Sequence, residues 1–235
     1  QKLSPCTPTI LGWRRPGKIG SANTESHIDG CGFFLWTGEE IRTLRYHTVV
    51  KGRFLSRPNR FVAYVETEQG LQVCHVKNTG RCAELLIPGC RAYLEYSDNP
   101  ARSTLCDLVA VEKQRPGQKP LLVNLDSAAP NAAAGEWLAA GGAGPFEQLR
   151  PEYRLHGSRF DFYGLRPGVR PVLVEVKGCT LEEDGFARFP DAPTLRGEKH
   201  VRELTVLQGQ GYECFVLFVL QMSPMRRFAP NWATH

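Results

Sequence analysis

The feature that most constrains this chain is a train of short apolar segments beginning at Tyr46, each cut off by residues that turn a backbone. The segments are HTVVKGRFL, RFVAYVET, LQVCHVK, RAYLEYS and CDLVAVEK. Between and within them stand Arg57-Pro58-Asn59, Gln69-Gly70, Asn78-Thr79-Gly80, Ile87-Pro88-Gly89 and Asp98-Asn99-Pro100, each able to supply tight-turn dihedrals. Short apolar runs with such punctuation predict strands of a small antiparallel barrel or sandwich. Five strands in about 70 residues fit the five-stranded oligonucleotide- and oligosaccharide-binding (OB) barrel, and a small SH3-like barrel would leave much the same trace.

Composition sets the outer limits. A chain of 235 residues that is 42% hydrophobic can build one large domain or two small ones with real cores, which argues against disorder throughout. The net charge of +5 leans toward an anionic partner but falls short of a basic-tail protein. The eight cysteines, Cys6, Cys31, Cys74, Cys82, Cys90, Cys106, Cys179 and Cys214, form no C-x-x-C pair and no zinc spacing, and read as buried, reduced thiols. No run reaches the roughly 18 apolar residues of a membrane-spanning helix, and no signal core opens the chain. The expectation is a soluble, cytoplasmic protein.

Residues 1–45 are rich in Gly, Pro, Ser and Thr without a sustained period, and are expected to be a leader of uncertain order outside the functional fold. Residues 46–115 would be the barrel. The polar segment QRPGQKP, 114–120, reads as the hinge to a second domain over 116–235. There the pattern predicts a strand (LLVNL) and an Ala-rich helix near Asn131–Ala140 with Asn131 as N-cap. Strands follow at Tyr153–Leu155, Arg159–Tyr163 and Pro171–Gly178, then an irregular excursion. A helix over 197–208 presents Val201, Leu204 and Leu207, and an almost wholly apolar strand ends the series at Tyr212–Gln221. This is an α/β domain.

Charges inside its strands point to chemistry. In PVLVEVKG, alternation places Leu173, Glu175 and Lys177 on one side and Val172, Val174 and Val176 on the other. In the preceding strand it places Phe160 and Phe162 together, opposite Arg159, Asp161 and Tyr163. A hairpin through Pro167-Gly168 would bring Asp161 beside Glu175. Two converging carboxylates repel unless a cation sits between them, and their hard oxygens suit magnesium or manganese. A neighbouring lysine could then act on a water or on a phosphate oxygen. An E-x-K step in a strand is equally the pattern of an ordinary surface salt bridge.

The order helix, strand, Asp-bearing strand, E-x-K strand, helix, strand resembles the PD-(D/E)xK core of restriction and repair nucleases. FLSRPNRFVAYVE, KNTGRCAELLIPG, SDNPAR, VNLDSAAPN, SRFDF, VEVKGCTLEEDGFARFPDAPTLRGEKHVREL and VLFVLQ together resemble the sugar fermentation stimulation protein A family, over about Tyr46 to Phe228. That resemblance implies a two-domain prokaryotic DNA-binding protein, an OB-like barrel followed by a restriction-endonuclease-like α/β domain. It implies either a metal-dependent nuclease using Mg2+ (or Mn2+) or a non-catalytic regulator of sugar, especially maltose, metabolism. Carried over, Asp161, Glu175 and Lys177 are the catalytic triad, Asp161 and Glu175 the metal ligands, and Glu152 an upstream acid. Family members typically begin near the position of Tyr46, so the leader stands outside the match.

For nucleic-acid contacts the sequence offers Arg53, Arg57 and Arg60 around the first barrel strands, and Lys77, Asn78, Thr79 and Arg81 at a turn. In the second domain it offers Arg159, then Arg188, Arg196, Lys199, His200 and Arg202 around the excursion and helix. Asp191 and Glu198 are further candidates to hold a metal or orient a water. Phe54, Phe61 and Tyr64 could stack bases, but their alternation with small apolar residues places them in the barrel core. DNA is the expected partner, and RNA is the alternative that a barrel of this type also accepts.

Overall fold

The computed structural model describes residues 9–14, 25–28, 31–36 and 46–234, apart from 79, 169 and 226. The first strands are β1 (Thr9–Arg14), β2 (Glu25–Ile28) and β3 (Cys31–Trp36). Next come β4 (Val49–Asn59), β5 (Val62–Thr67), β6 (Gly70–Val76), β7 (Arg91–Tyr96), β8 (Cys106–Lys113) and β9 (Leu121–Asn124). Helix α1 (Ala129–Ala139) leads to β10 (Gln148–Leu155), β11 (Ser158–Arg166), β12 (Arg170–Cys179), β13 (Leu181–Glu183) and β14 (Phe186–Phe189). Helix α2 (Leu195–Gly209), β15 (Glu213–Leu220), β16 (Met222–Ser223) and β17 (Phe228–Pro230) complete the chain. The described residues fall into two compact units: one is built on Leu44–Ala129 with Gln221–Pro224, the other on Pro130–Leu220 and Met225–His235 with β1, β2 and β3.

The first unit is a closed five-stranded barrel in which β4 pairs with β5, β5 with β6, β6 with β8, β8 with β7, and β7 with β4. Only β6 and β8 run parallel. This order, first-second-third-fifth-fourth, is that of an OB barrel. Alternation builds its core: Ala63, Val65, Cys74 and Val76 point inward to meet Phe54, Leu94 and Leu108. Gly52 is required by close approach, since a Cβ there would lie 2.6 Å from Val65 Cγ1 and 2.7 Å from the Glu66 carbonyl oxygen.

Two expectations about this unit change. Strand β4 runs through Pro58 to Asn59 instead of turning at 57–59, because register shifts at Phe54/Ser56 and Ser56/Asn59 leave room for a proline. Asn59 then pairs with Val62, and its Oδ1 accepts from the Phe61 and Val62 amides at 2.8 and 3.1 Å, so Arg60-Phe61 is a two-residue hairpin tip. The segment 114–120 is likewise a turn and not a domain hinge. Strand β9 folds back antiparallel on β8, and the units divide at Ala129/Pro130.

The second unit is a mixed α/β fold on a seven-stranded sheet of order β10-β11-β12-β15-β1-β3-β2. The β12–β15 pair is parallel and the others antiparallel. On one face Ala133, Ala134, Trp137 and Leu138 of α1 pack on Val172, Val174, Val176, Phe215 and Leu217. On the other, Leu204 and Leu207 of α2 pack on Leu173, Cys214 and Val216. Val201, expected in that stripe, is 44% exposed, so α2 buries a narrower face than its spacing suggests.

The expectation of an unpatterned leader fails at β1, β2 and β3. Strand β15 is apolar from Cys214 to Leu220, and β1 gives its second edge an antiparallel partner, from Thr9↔Leu220 to Trp13↔Val216. The rest of residues 1–45 lies outside the described residues. The irregular excursion forms β13 and β14, which build a small sheet with β17 from beyond β15. Helix α1 begins at Ala129 with Pro130 in its first turn, so Asn131 lies inside the helix and is not its cap. No helix among the described residues is long and apolar enough to cross a membrane.

Candidate functional site

Strand alternation breaks where the site is built. Pro151 pairs with Phe162 and Tyr153 with Phe160, which puts Glu152 and Asp161 at one level between them. Leu149 and Phe162 pack on the α1 side of the sheet, whereas Tyr153, Leu155 and Phe160 pack on the α2 side. Both strands therefore change face at this level, and Phe160 and Phe162 do not share a side as strict alternation predicted. Glu152 carries the irregularity on β10 with a left-handed φ of 53°. On β11 the pairing with β12 stops at Phe162↔Val174.

Asp161 sits where that ladder ends. Its Oδ2 accepts the Val176 amide at 2.7 Å, taking over from a strand carbonyl, and its Oδ1 accepts Nδ2 of Asn131 from α1 at 2.8 Å. The carboxylate is thus fixed against the residue between Glu175 and Lys177. Glu175 is 3% exposed. Its Oε1 receives the Lys177 ammonium and lies 2.5 Å from Nδ1 of His200 on α2, which donates in the tautomer that protonates it. Its Oε2 is buried and has no hydrogen-bond partner. A buried carboxylate oxygen left bare is costly, which makes this atom the chemical anomaly of the site.

Sequence reasoning brought Asp161, Glu175 and Lys177 together, and the structure holds them around Val176. It missed Asn131, read as a cap, and placed His200 on phosphate when the ring is on Glu175. Glu152 stands apart: its side chain is 69% exposed and lies 3.8 Å from Arg159. Among the cations proposed around α2, Arg188 pairs with Glu183 at 3.1 Å and Lys199 with Glu203 at 3.6 Å. Arg202 bonds Glu198 one turn away, and Arg196 and Asp191 are exposed. No group of three or more His, Cys, Asp or Glu side chains converges as a metal site among the described residues.

In the barrel, the basic candidates separate by what they already hold. Arg57 spends its guanidinium on four backbone carbonyls, those of Arg60, Asn78, Gly80 and Arg81, at 2.6 to 3.0 Å. Lys77 is bound to Asp126 at 2.8 Å, and Asn78 turns its Oδ1 onto the Gly80 amide. Arg53 pairs with Glu66 at 2.5 Å, while Arg60 lies over the Phe61 ring and Arg81 is exposed. Thr79 lies outside the described residues. Phe54 is core as expected, but Phe61 and Tyr64 are not.

Comparison with known proteins places both units. Residues 55–120 match the SfsA N-terminal OB domain, and residues 128–235 match the sugar fermentation stimulation protein RE domain. A sugar fermentation stimulation protein homolog of Desulfitobacterium hafniense is 48% identical over 192 residues, covering 82% of each chain. The chain belongs to the sugar fermentation stimulation protein family. A second family member, from Clostridium beijerinckii, is 44% identical over 193 residues, covering 82% of this chain and 83% of its own. The structure of Pyrococcus furiosus SfsA in complex with Ca2+ matches with a TM-score of 0.69 at 25% identity, covering 81% of this chain and 80% of that one. These family matches pair an OB domain with an RE domain, over the stretches where the fold has a closed barrel and a mixed α/β unit.

Proposed function

We propose that this family member binds DNA and hydrolyses phosphodiester bonds at the Asp161–Glu175–Lys177 site with a divalent ion. The observation that carries the reading is the bare, buried Oε2 of Glu175. A hard cation is the partner such an oxygen suits, with Asp161 as second ligand and the remaining positions left to water and phosphate. The Pyrococcus furiosus relative was solved with Ca2+, a cation of that class. Bound there, Mg2+ or Mn2+ would offset charge growing on phosphoryl oxygens.

The chain's own residues supply the rest. His200 and Lys177 both hold Oε1 of Glu175, which turns Oε2 away from them and fixes the carboxylate plane. Asn131 and the Val176 amide do the same for Asp161. Lys177, 19% exposed at its side chain, has the reach to orient a water or donate to a phosphate oxygen. Glu152 supports this site less directly than the sequence suggests, because its carboxylate faces solvent and Arg159.

A second reading is a DNA-binding regulator of sugar metabolism that keeps the scaffold without turnover. The specific observation in its favour is that both Asp161 oxygens are already engaged and that no third acidic ligand converges among the described residues. Incubation with plasmid, linear duplex and single-stranded DNA in Mg2+ separates the two readings. The nuclease reading expects cleavage that Asp161→Ala and Lys177→Ala abolish. Folded wild type that binds DNA yet cuts none of these substrates overturns it in favour of the regulator.

A further inference from the structure

The barrel is closed by a short seam. Its parallel strands β6 and β8 meet over three register pairs, Cys74↔Cys106, His75↔Asp107 and Val76↔Leu108. The first pair sets two reduced thiols against each other in the core. Cys74 is 0% exposed and Cys106 1%, and their sulfurs lie 3.3 Å apart. A buried cysteine by itself is a small apolar side chain and needs no further account. Two at directly opposed positions, sulfur against sulfur, are also set up to react with each other.

We propose that Cys74 and Cys106 are a site of reversible oxidation, at which a peroxide or a low-mass disulfide turns the two thiols into a bond that locks the barrel seam. With hydrogen peroxide, the Cys106 thiolate attacks one oxygen and the O–O bond breaks. Cys106 becomes a sulfenic acid, and the departing hydroxide takes up the thiol's proton as water. The Cys74 sulfur then attacks the Cys106 sulfur, and the S–S bond forms as the hydroxyl leaves with the Cys74 proton as a second water. Two thiols are oxidised to one disulfide, and one peroxide is reduced to two waters. A low-mass disulfide reaches the same product through a mixed disulfide and leaves as two thiols.

The strands already stand where the bond needs them. Registered residues on neighbouring strands have Cα atoms about 4.8 Å apart, inside the range that disulfides span. The sulfurs have only to close by about 1.3 Å. The attack falls to Cys106, whose thiol is lowered by the hydrogen bond from Cys74 and by Arg102, against burial and the charge of Asp107. The same bond, together with burial, raises the Cys74 thiol and keeps it protonated for the second step. A seam of three register pairs can open locally, which admits a small oxidant to a core that is otherwise closed. Once formed, the bond bridges residues 32 positions apart and pins the start of β8, where Asp107 holds Arg102 of the loop between β7 and β8.

The test treats the full chain with hydrogen peroxide, alkylates the remaining thiols in denaturant, and maps a tryptic digest by mass spectrometry. The expected product joins the peptides 61–77 and 103–113 and comes apart in dithiothreitol. It should prevail over every other pairing of the eight cysteines in the folded chain, and become one link among several when oxidation is carried out in urea. By circular dichroism the oxidised chain should melt at least about 5 °C above the reduced one, a gain that Cys106→Ala abolishes. Mapping of the wild type stands without the variant. Other pairings in the folded chain, sulfinic acid on Cys106 with no link, both thiols left unoxidised, or a link that leaves the melting temperature unmoved would each overturn the proposal.

Discussion

Each unit holds a cluster of buried charge, and the two clusters are finished differently. In the barrel, Asp107 is 4% exposed and takes both guanidinium nitrogens of Arg102, with His75 at 3.2 Å and Lys77 at 3.8 Å. Asp126 receives Lys77 at 2.8 Å, Tyr46 at 3.3 Å and the Ala128 amide at 2.9 Å. Every oxygen of these two carboxylates has a partner. In the second unit Glu175 also meets two side-chain nitrogens, those of Lys177 and His200, but both go to one oxygen and the other is left bare. A cluster closed on itself serves folding. On the proposed function, the one that leaves a buried acceptor open gives up stability for binding.

The largest expected effect comes from opening the closed cluster. Arg102→Ala strips Asp107 of its bidentate partner and should destabilise the barrel by roughly 2 to 3 kcal/mol in urea unfolding, short of a fully buried break because Lys77 and His75 remain. The same cluster sets an acid limb. Burial pushes the Asp107 carboxyl up, but Arg102, Lys77 and His75 outweigh it and hold the group below the ordinary carboxylate range. A depressed carboxyl contributes stability that is fully present above its unfolded value of about 3.9 and is lost as pH falls through the folded value. Asp107→Asn should therefore flatten the dependence of the urea midpoint on pH below about 4, and a slope as steep as that of the wild type would contradict it.

Arg57 tests the comparison at a closed site of a different kind. Arg57→Ala leaves four carbonyls to find other donors and should cost about 1 to 3 kcal/mol, whereas Arg60→Ala should stay within about 0.5 kcal/mol because its cation only rests on a ring. Equal losses would show that the clamp is no more structural than its neighbour. The smallest effect belongs to Glu136 on α1, another buried carboxylate oxygen without a partner, whose pKa burial raises. A raised carboxyl favours the fold below its unfolded pKa and loses that contribution as pH rises through the folded value. Glu136→Gln should thus gain about 0.5 kcal/mol at pH 8 and nothing at pH 4; a gain that is larger at pH 4 would reverse the assignment.

Most of the fold was legible because it is written in local pattern. Five barrel strands and the E-x-K strand follow from alternation and turn residues, which act over a few positions. The failures lie where tertiary contacts override that pattern. Phe160 and Phe162 share a parity but not a face, because the Asp161 side chain replaces a ladder bond and Glu152 takes a left-handed φ at the same level. Phe61 and Tyr64 alternate with core residues, and burial statistics favour large aromatics inside, yet the parity of β5 points Tyr64 out. His200 and Asn131 reach the site from helices about 25 and 30 residues away in sequence from their carboxylates, a distance that no spacing rule covers. Strands β1, β2 and β3 carry no sustained period and became visible only through the open edge of β15.

The central claim is that Glu175 is placed for a ligand and not for the fold. It is tested most directly by following the melting temperature of wild type and Glu175→Gln as Mn2+ is added. The account predicts that the two proteins melt within about 3 °C of each other in chelator, that wild type climbs with Mn2+ concentration by linkage, and that Glu175→Gln does not. A variant that melts far below wild type without metal, beside a wild type indifferent to Mn2+, would make Glu175 a structural ion pair and contradict the account.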